Sequence, residues 1–383
     1  MTESQKPESR SQKILTRLSE IQYKHHLVIV ALSLLLTGYM AVGASKVYMD
    51  ADTANQFPSD IPAVANQKKI DKAFGGSDLV LVVVELEFGS DIKHKPQDIR
   101  DPRVMEMLVD LQTQLQEEPQ IDRVLSAGLF FPYEVPQTLS GVRKVLKKMP
   151  GAQGMFNKDY SITLLYVYSN VGGGEQAVAS FTQLIQDNIE GVAKPPGVKL
   201  SITGGPPISD TIFKILWSDA VYTLLLAASI IFLLLVVIQK SLYKGFLVFT
   251  PLLLGLTWTL GVMGHLDIPL SIATVAVGAM ILGLGVEYGI FLVERYMEER
   301  KKQKTIKQSI GKAVPAVGFS ILGSGLTTIV GFGMLSTFFL KFVAQLGQVL
   351  ALGIACCLLA AILANPAFIV FFERITEKTG DKK

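Results

Sequence analysis

Six long segments of mostly apolar residues stand out along the chain, and a mainly polar stretch separates the first segment from the second. A helix needs about 20 apolar residues to cross the hydrocarbon core of a bilayer, which is about 30 Å thick. The pattern therefore predicts six transmembrane helices. The first is longer than the apolar core of a signal peptide, which favours an uncleaved anchor. The predicted spans are residues 27–44, 220–238, 245–264, 270–293, 313–340 and 342–372.

The polar stretch, residues 45–219, alternates between two periodicities. Runs rich in β-branched and aromatic residues predict strands, and apolar residues three or four positions apart predict helices. The order β-α-β-(α)-β-α-β predicts an α+β domain with a ferredoxin-like split βαβ sandwich, a fold that hosts many functions. The predicted strands are 78–87, 121–127, 160–169 and 198–203, and the predicted helices are 103–117, 139–148 and 175–189.

Composition narrows the class of protein further. Of the 383 residues, 49% are hydrophobic and 18% are charged, whereas about 25% charged residues is typical of a soluble domain. The net charge of +3 is too small to indicate a nucleic-acid-binding protein. The two cysteines, Cys356 and Cys357, are neighbours in an apolar run and predict neither a disulfide framework nor a metal site. No nucleophile–base pair is evident in the sequence, so we expect neither an enzyme nor a bound cofactor.

Lysine and arginine predict the orientation of the chain in the membrane. They are concentrated in the N-terminal arm, in the loops after the second and fourth spans, and in the C-terminal tail. Because basic loops face the cytoplasm, we expect a multi-pass protein of the cytoplasmic membrane with both termini inside. The predicted parts are a cytoplasmic arm (1–26), a first span (27–44), an extracytoplasmic domain (45–219), a five-helix bundle (220–372) and a cytoplasmic tail (373–383).

One ionisable side chain lies well inside the predicted spans. Glu287 is six residues from the end of the fourth span, which places it about 9 Å below the membrane boundary. A charge at such depth is costly, and ionisable groups in membrane helices usually face an interior or a water path and serve function. We therefore predict that Glu287 carries a proton. Tyr288 beside it either shares the proton path or is an interfacial aromatic residue, and both roles stay open. The alternative is a permanently protonated Glu287 that makes a structural hydrogen bond.

Small and polar residues surround this position. Gly283, Gly285 and Gly289 are expected to let neighbouring helices pack closely around Glu287. Hydroxyl groups in membrane helices can complete a relay, but they also bond to their own backbone, and both roles stay open here. The candidates in the fifth span are Ser324, Thr327 and Thr328.

The segment Gly204-Gly205-Pro206-Pro207 joins the last predicted strand to the helix that enters the second span. It predicts a stiff turn that couples the polar domain to the membrane helices. Proline is also tolerated in the first turn of a helix, so a simple helix start explains the segment equally well.

These motifs resemble those of a known family. Residues 283–299, GLGVEYGIFLVERYMEE, resemble the fourth-span signature of the resistance-nodulation-division (RND) superfamily, in particular its MMPL and hopanoid-exporter branch. Residues 318–336 resemble the TTxxGF stretch of that family's fifth span, and residues 204–207 resemble its junction before the second span. The order of one helix, a large outer domain and five further helices is also similar.

The resemblance implies a proton-driven secondary transporter that exports hydrophobic, lipid-like molecules or moves them through the cell envelope, in contact with membrane lipids. Glu287 would carry the proton and couple it to motion of a porter-type outer domain, with Na⁺ as the alternative coupling ion. The family usually has aspartate at this position. Typical members join two such units in one chain, so the resemblance implies a homo-oligomer, most simply a dimer, with a trimer as the alternative.

Two other functions stay open from the sequence. A SecD/SecF-like protein-export accessory shares the six-span plan, but it normally has an Asn-Asp-Thr group where this chain has Val286, Glu287 and Tyr288. A non-transporting lipid- or sterol-sensing protein would use the same helices without a proton carrier. The sequence also leaves the substrate and the direction of transport open.

Overall fold

The structure, a computed structural model, describes residues 10–49, 57–58, 61–74, 78–87, 93–171, 174–271, 273–302 and 304–380. Residues 1–9 of the predicted arm and 381–383 of the predicted tail lie outside the described residues. The chain divides into two compact units. One, the helical unit, combines Met1–Met49 with Leu216–Lys383, and the other, the α/β unit, is Asp50–Ile215.

Four strands form the sheet described in the α/β unit: β1 (Asp78–Leu86), β2 (Ile121–Leu125), β3 (Ile162–Ser169) and β4 (Val198–Gly204). All neighbours are antiparallel, and the strands lie in the order β2-β3-β1-β4. Val82 of β1 lies opposite Leu165 of β3 on one side and Ile202 of β4 on the other. The four predicted strands are therefore confirmed, with ends that differ by up to two residues.

The helices of the α/β unit are α3 (Pro62–Phe74), α4 (Pro102–Gln116), α5 (Leu139–Lys148) and α6 (Glu175–Gly191). Of these, α4, α5 and α6 share one apolar core with the sheet. Leu108 and Leu111 of α4 and Phe181 of α6 are fully buried in that core, as their helical spacing predicts. Helix α3 was not predicted, because its sequence carries few large apolar residues.

An ion-pair cluster fastens the segment before α4 to helix α5. Asp98 accepts hydrogen bonds from Arg100 at 2.7 Å and from Arg143 of α5 at 2.5 Å. The Arg100 guanidinium also lies 3.3 Å from the centre of the Tyr160 ring. Burial acts to raise the pKa of Asp98, but the hydrogen bonds from the two guanidinium groups outweigh burial and lower the pKa to about 2. The ionised carboxylate is therefore a stabilising link at neutral pH.

Among the described residues, six helical segments are long and apolar enough to cross a membrane, which confirms the six predicted spans. The first five are α2 (His26–Ala44), α7 (Gly205–Gln239), α8 (Leu242–His265), α9 (Val277–Lys301) and α10 (Ile306–Met334), which a 3₁₀ turn extends to Thr337. The sixth consists of α11 (Lys341–Leu359), a π-helical turn (Ala360–Ala364) and α12 (Asn365–Gly380).

Three spans begin well away from the residue that the apolar pattern predicts. The second was predicted from residue 220, but its helix α7 already begins at Gly205, directly after β4. The fourth was predicted from residue 270, but α9 begins at Val277, because the Ser271 backbone N–H donates to Thr274 Oγ1 at 2.7 Å in a buried turn. The fifth was predicted from residue 313, but α10 begins at Ile306 because Thr305 starts it with a capping box. Its polar first turns are helical even though they lie outside the apolar run.

The helices of the helical unit approach one another closely at glycine. A Cβ atom on Gly255 of α8 would lie 2.6 Å from Cα of Cys357 on α11. A Cβ atom on Gly261, further along α8, would lie 2.5 Å from the carbonyl oxygen of Met40 on α2. Side chains larger than hydrogen would force these helices apart, so α8 is held between α2 and α11.

The N-terminal arm contains a helix, α1 (Arg10–Lys24), that packs on the bundle. The side-chain amide of Gln22 donates to the carbonyl oxygens of Ile362 at 2.6 Å and Leu363 at 3.2 Å. Both carbonyls belong to the π-helical turn Ala360–Ala364, where the regular backbone ladder is interrupted. Helix α1 therefore supplies hydrogen bonds to the irregular part of the last span.

Candidate functional site

The carboxylate singled out by the sequence meets a hydroxyl group from the neighbouring helix. Glu287 lies on α9 and is partly buried. Ser324 on α10 donates its hydroxyl to Glu287 Oε1 at a distance of 2.9 Å. This is one of the pairs predicted for the site, and it joins two membrane-spanning helices through one ionisable group.

A hydroxyl partner suits a group that changes its protonation state. A carboxylate can only accept hydrogen bonds, whereas a carboxylic acid can also donate one. The hydroxyl of Ser324 can donate to the ionised form of Glu287 and accept from the protonated form. The hydrogen bond between α9 and α10 is therefore compatible with either form of the carboxyl group.

The two threonines bond within their own helix. Thr327 Oγ1 donates to the Ser324 carbonyl oxygen at 2.8 Å, and Thr328 Oγ1 donates to the same oxygen at 2.9 Å. Neither threonine hydroxyl has a described hydrogen bond to Glu287. Both hydroxyls therefore bond to the backbone of α10 at Ser324 and not to the carboxyl group of Glu287.

Tyr288 lies on a different side of α9 from Glu287, because consecutive residues of a helix are about 100° apart. The ring of Tyr288 is 1% exposed. Tyr288 is therefore a buried neighbour of Glu287 in the sequence, with no described hydrogen bond to Glu287 or Ser324.

Two of the three glycines predicted to allow close packing lie in tight contacts. A Cβ atom on Gly285 would lie 3.1 Å from the sulfur of Cys357 on α11. A Cβ atom on Gly289 would lie 2.5 Å from the carbonyl oxygen of Val248 on α8. By contrast, Gly283 has no described heavy atom within 4 Å of such a position. Gly285 precedes Glu287 by two residues and allows α9 to pack closely on α11. Gly289 follows Glu287 by two residues and allows α9 to pack closely on α8.

The predicted junction is a strand that passes directly into a helix. Gly204 ends β4 with φ of +117°, and a Cβ atom there would collide with the carbonyl oxygen of Leu79 in β1. Helix α7 starts at Gly205, where a Cβ atom would meet open space. Pro206 and Pro207 are buried in its first turn, where the missing N–H groups cost nothing. A flexible linker is therefore absent at this point of the chain.

A charged cluster at the end of α9 was not predicted. Glu299 is 2% exposed and pairs with Lys302 at 3.0 Å, with Arg295 at 3.2 Å and with Lys304. The spacing of four residues between Arg295 and Glu299 is a signal for a helical ion pair, but the burial of Glu299 depends on the fold. Within the described residues no group of His, Cys, Asp and Glu could hold a metal ion.

Comparison with known proteins gives one family and several relatives. The family model of the MMPL family matches residues 55–383. The membrane protein MJ1562 of Methanocaldococcus jannaschii is 31% identical over 368 residues, which are 94% of this chain and 95% of that protein. The siderophore exporter MmpL5 of Mycobacterium tuberculosis is 26% identical over 57% of this chain. The hopanoid transporter HpnN of Rhodopseudomonas palustris is 25% identical over 48% of this chain.

Some of these proteins are much longer than this chain. The matched segments are 23% of MmpL5 and 21% of HpnN. Among solved structures, the hedgehog release protein Disp from the water bear Hypsibius dujardini is similar with a TM-score of 0.64 and 16% identity. That match covers 94% of this chain and 50% of the Disp chain, and at this identity it shows a shared fold.

Proposed function

Because the chain belongs to the MMPL family of the RND transporter superfamily, we propose that it is a secondary transporter that exports hydrophobic or lipid-like molecules and is driven by protons carried by Glu287. Six apolar helices and the family match make it a multi-pass membrane protein. The relatives include exporters of a siderophore and of hopanoids by name. By analogy with these relatives, we infer that this chain also exports a hydrophobic or lipid-like molecule.

The contact between Glu287 and Ser324 is the observation that supports proton coupling. An ionisable group in a membrane helix is costly and is usually retained for function. Glu287 has a hydroxyl partner at 2.9 Å that can serve both of its protonation states. Moving one charge through 100 mV supplies about 2.3 kcal/mol, which is available to shift the helices that carry these two residues.

We place the α/β unit outside the cell and the basic ends of the spans in the cytoplasm, because lysine and arginine dominate the arm, the two basic loops and the tail. The strand order β2-β3-β1-β4, with all neighbours antiparallel, supports a ferredoxin-like sandwich for this unit. Its direct connection from β4 into α7 would pass motion between the membrane span and the sheet.

We further propose that two copies of the chain form the working transporter. The chain matches half of the length of Disp, so two copies would supply a comparable set of helices. The faces of α9 and α10 near Glu287 are exposed in one copy, as Gly283, Phe291, Phe319 and Leu326 show. A second copy would cover these faces and enclose the partly buried Glu287.

Proton-driven transport is tested with the purified chain in lipid vesicles. An imposed pH gradient is expected to produce proton flux, followed with a pH-sensitive dye inside the vesicles, and Glu287→Gln is expected to reduce that flux at least tenfold. The matched control is Glu294→Gln, which removes a carboxylate on the same helix that accepts a hydrogen bond from Gln239 at 3.2 Å. Equal flux in the wild type and Glu287→Gln would reject the proposal.

The same vesicles distinguish proton coupling from sodium coupling, and a transporter from a lipid sensor. A sodium gradient at constant pH should produce no flux if protons are the coupling ion. Lipids that co-purify with the wild type, identified by mass spectrometry, name candidate substrates. Lipid binding that survives in Glu287→Gln, without any proton flux in the wild type, would favour a lipid sensor over a transporter.

A further inference from the structure

One end of the helical unit carries basic side chains around two neighbouring cavities, which share Arg300 and Lys304. The second cavity, about 380 Å³, adds Tyr23, Thr305, Ile306, Arg374 and Glu377 to its lining. The first cavity, which we name the basic cavity, has a volume of about 430 Å³. The basic cavity is lined by Lys244, Met297, Arg300, Lys301 and Lys304.

Carboxylates compensate only part of this positive charge. Arg300 pairs with Glu373 at 3.2 Å and with Glu377 at 2.8 Å, and Lys304 pairs with Glu299. Lys244 and Lys301 have no carboxylate partner in the part of the chain that the structure describes. The basic cavity therefore presents at least two cations without a counter-charge.

The position of Lys244 adds a second argument. It lies in the first turn of α8, after the N-cap residue Ser241. The positive end of the helix dipole disfavours a cation there and favours an anion. Helix α10 also begins beside the second cavity, with Thr305 as its N-cap. An anion bound in the basic cavity would interact favourably with the N-terminus of α8 and with the uncompensated lysines.

The position of Lys244 indicates where the anion comes from. Lys244 lies next to the start of one apolar span, and Arg300 and Lys301 follow the apolar run of another, in the last turn of α9. The boundary of an apolar span lies at the level of the lipid headgroups, so Lys244 is at that level. Basic pockets between membrane helices on the cytoplasmic side are suited to anionic headgroups. A lipid phosphate therefore reaches this cavity without leaving the membrane.

We propose that the basic cavity binds the phosphate of an anionic membrane lipid, with Lys244 and Lys301 supplying the charges that no protein group neutralises. The lipid would bridge α8, the end of α9 and the segment that leads into α10. Since α9 and α10 carry Glu287 and Ser324, the lipid would hold the two helices of the candidate site together at their basic ends. Binding itself does not depend on proton transport.

The test uses the full chain in detergent with dioleoyl phosphatidylglycerol or dioleoyl phosphatidylcholine added in steps, and native mass spectrometry counts the bound lipid. The wild type is expected to bind phosphatidylglycerol at least tenfold more tightly than phosphatidylcholine. The double variant Lys244→Gln/Lys301→Gln should lose about 25-fold in affinity for phosphatidylglycerol, since each lysine near a headgroup contributes about a fivefold effect. The double variant Lys244→Arg/Lys301→Arg should retain the wild-type affinity.

The matched control is Lys13→Gln/Arg17→Gln. Both residues are exposed on α1, outside the two cavities, and their removal changes the net charge by the same amount. Equal affinity of the wild type for the two lipids would overturn the proposal. A loss in Lys13→Gln/Arg17→Gln as large as in Lys244→Gln/Lys301→Gln would overturn it as well. Inorganic phosphate that displaces phosphatidylglycerol at equal concentration would also overturn it, because the site would then bind a soluble anion. These measurements need no proton flux, so a failed transport assay leaves their outcome unaffected.

Discussion

Glu287 of α9 and Ser324 of α10 are 37 residues apart in the sequence, and a hydrogen bond of 2.9 Å joins their side chains. The bond crosses between two membrane-spanning helices. A change in the charge of Glu287 would therefore act directly on the contact between these helices.

Ser324→Ala is expected to slow proton flux in lipid vesicles by about tenfold, because a hydrogen bond to a charged group contributes about 1.5–3 kcal/mol. Ser324→Thr keeps the hydroxyl and should retain most of the flux. Thr327→Val is the matched control, since Thr327 bonds to the Ser324 carbonyl oxygen of its own helix. A loss in Thr327→Val as large as in Ser324→Ala would contradict the assigned role of Ser324.

Gly289→Ala is expected to destabilise the protein by about 1–3 kcal/mol, because the added methyl group would lie 2.5 Å from the carbonyl oxygen of Val248. The temperature of unfolding in detergent measures the effect. Gly311→Ala on α10 is the control, and it should unfold at or slightly above the wild-type temperature, because a Cβ atom there meets no described atom within 4 Å and alanine favours a helix more than glycine does. Equal unfolding temperatures for both variants would mean that α9 does not pack on α8 in this way.

Asp98→Asn is expected to reduce the stability of the folded chain by about 2 kcal/mol at neutral pH, because the pKa of Asp98 is lowered from 3.8 to about 2 by Arg100 and Arg143. A lowered pKa stabilises the folded state above pH 4, and the stabilisation is lost as the pH falls towards 2. Unfolding measured at several pH values should therefore show a difference between wild type and variant that disappears in acid.

Asp101→Asn is the control for this experiment. Asp101 caps α4 and pairs with Arg103 at the protein surface. Asparagine is as good an N-cap residue, and exposed ion pairs contribute little. The control should therefore differ from the wild type by less than about 1 kcal/mol. A difference for Asp98→Asn that persists unchanged down to pH 2 would show that charge is not the cause.

The spans and the sheet could be predicted because each depends on a local pattern. Burial in lipid requires an unbroken run of apolar residues, and the four strands carry dense β-branched and aromatic residues. The start of α10 at Ile306 was missed because its cause is a capping box at Thr305, which an apolar run does not show. The start of α9 was missed for a similar reason, since polar turn residues lie within an apolar segment.

The contacts of the candidate site depend on the relative rotation of helices, which a sequence pattern does not fix. The sequence predicted hydroxyl partners for Glu287 but could not distinguish Ser324 from the two threonines. It could not show that Gly283 meets no described neighbour while Gly289 approaches α8. The bonds from Gln22 to the last span join residues about 340 positions apart, and no local signal predicts such a pair.

Uptake and release of a proton by Glu287 can be followed by infrared difference spectroscopy of the full chain in lipid vesicles as the pH is changed. We expect a carboxyl C=O band that appears on acidification in the wild type, shifts in frequency in Ser324→Ala and is missing in Glu287→Gln. Identical difference spectra for the wild type and Glu287→Gln across the accessible pH range would show that Glu287 is not the proton carrier.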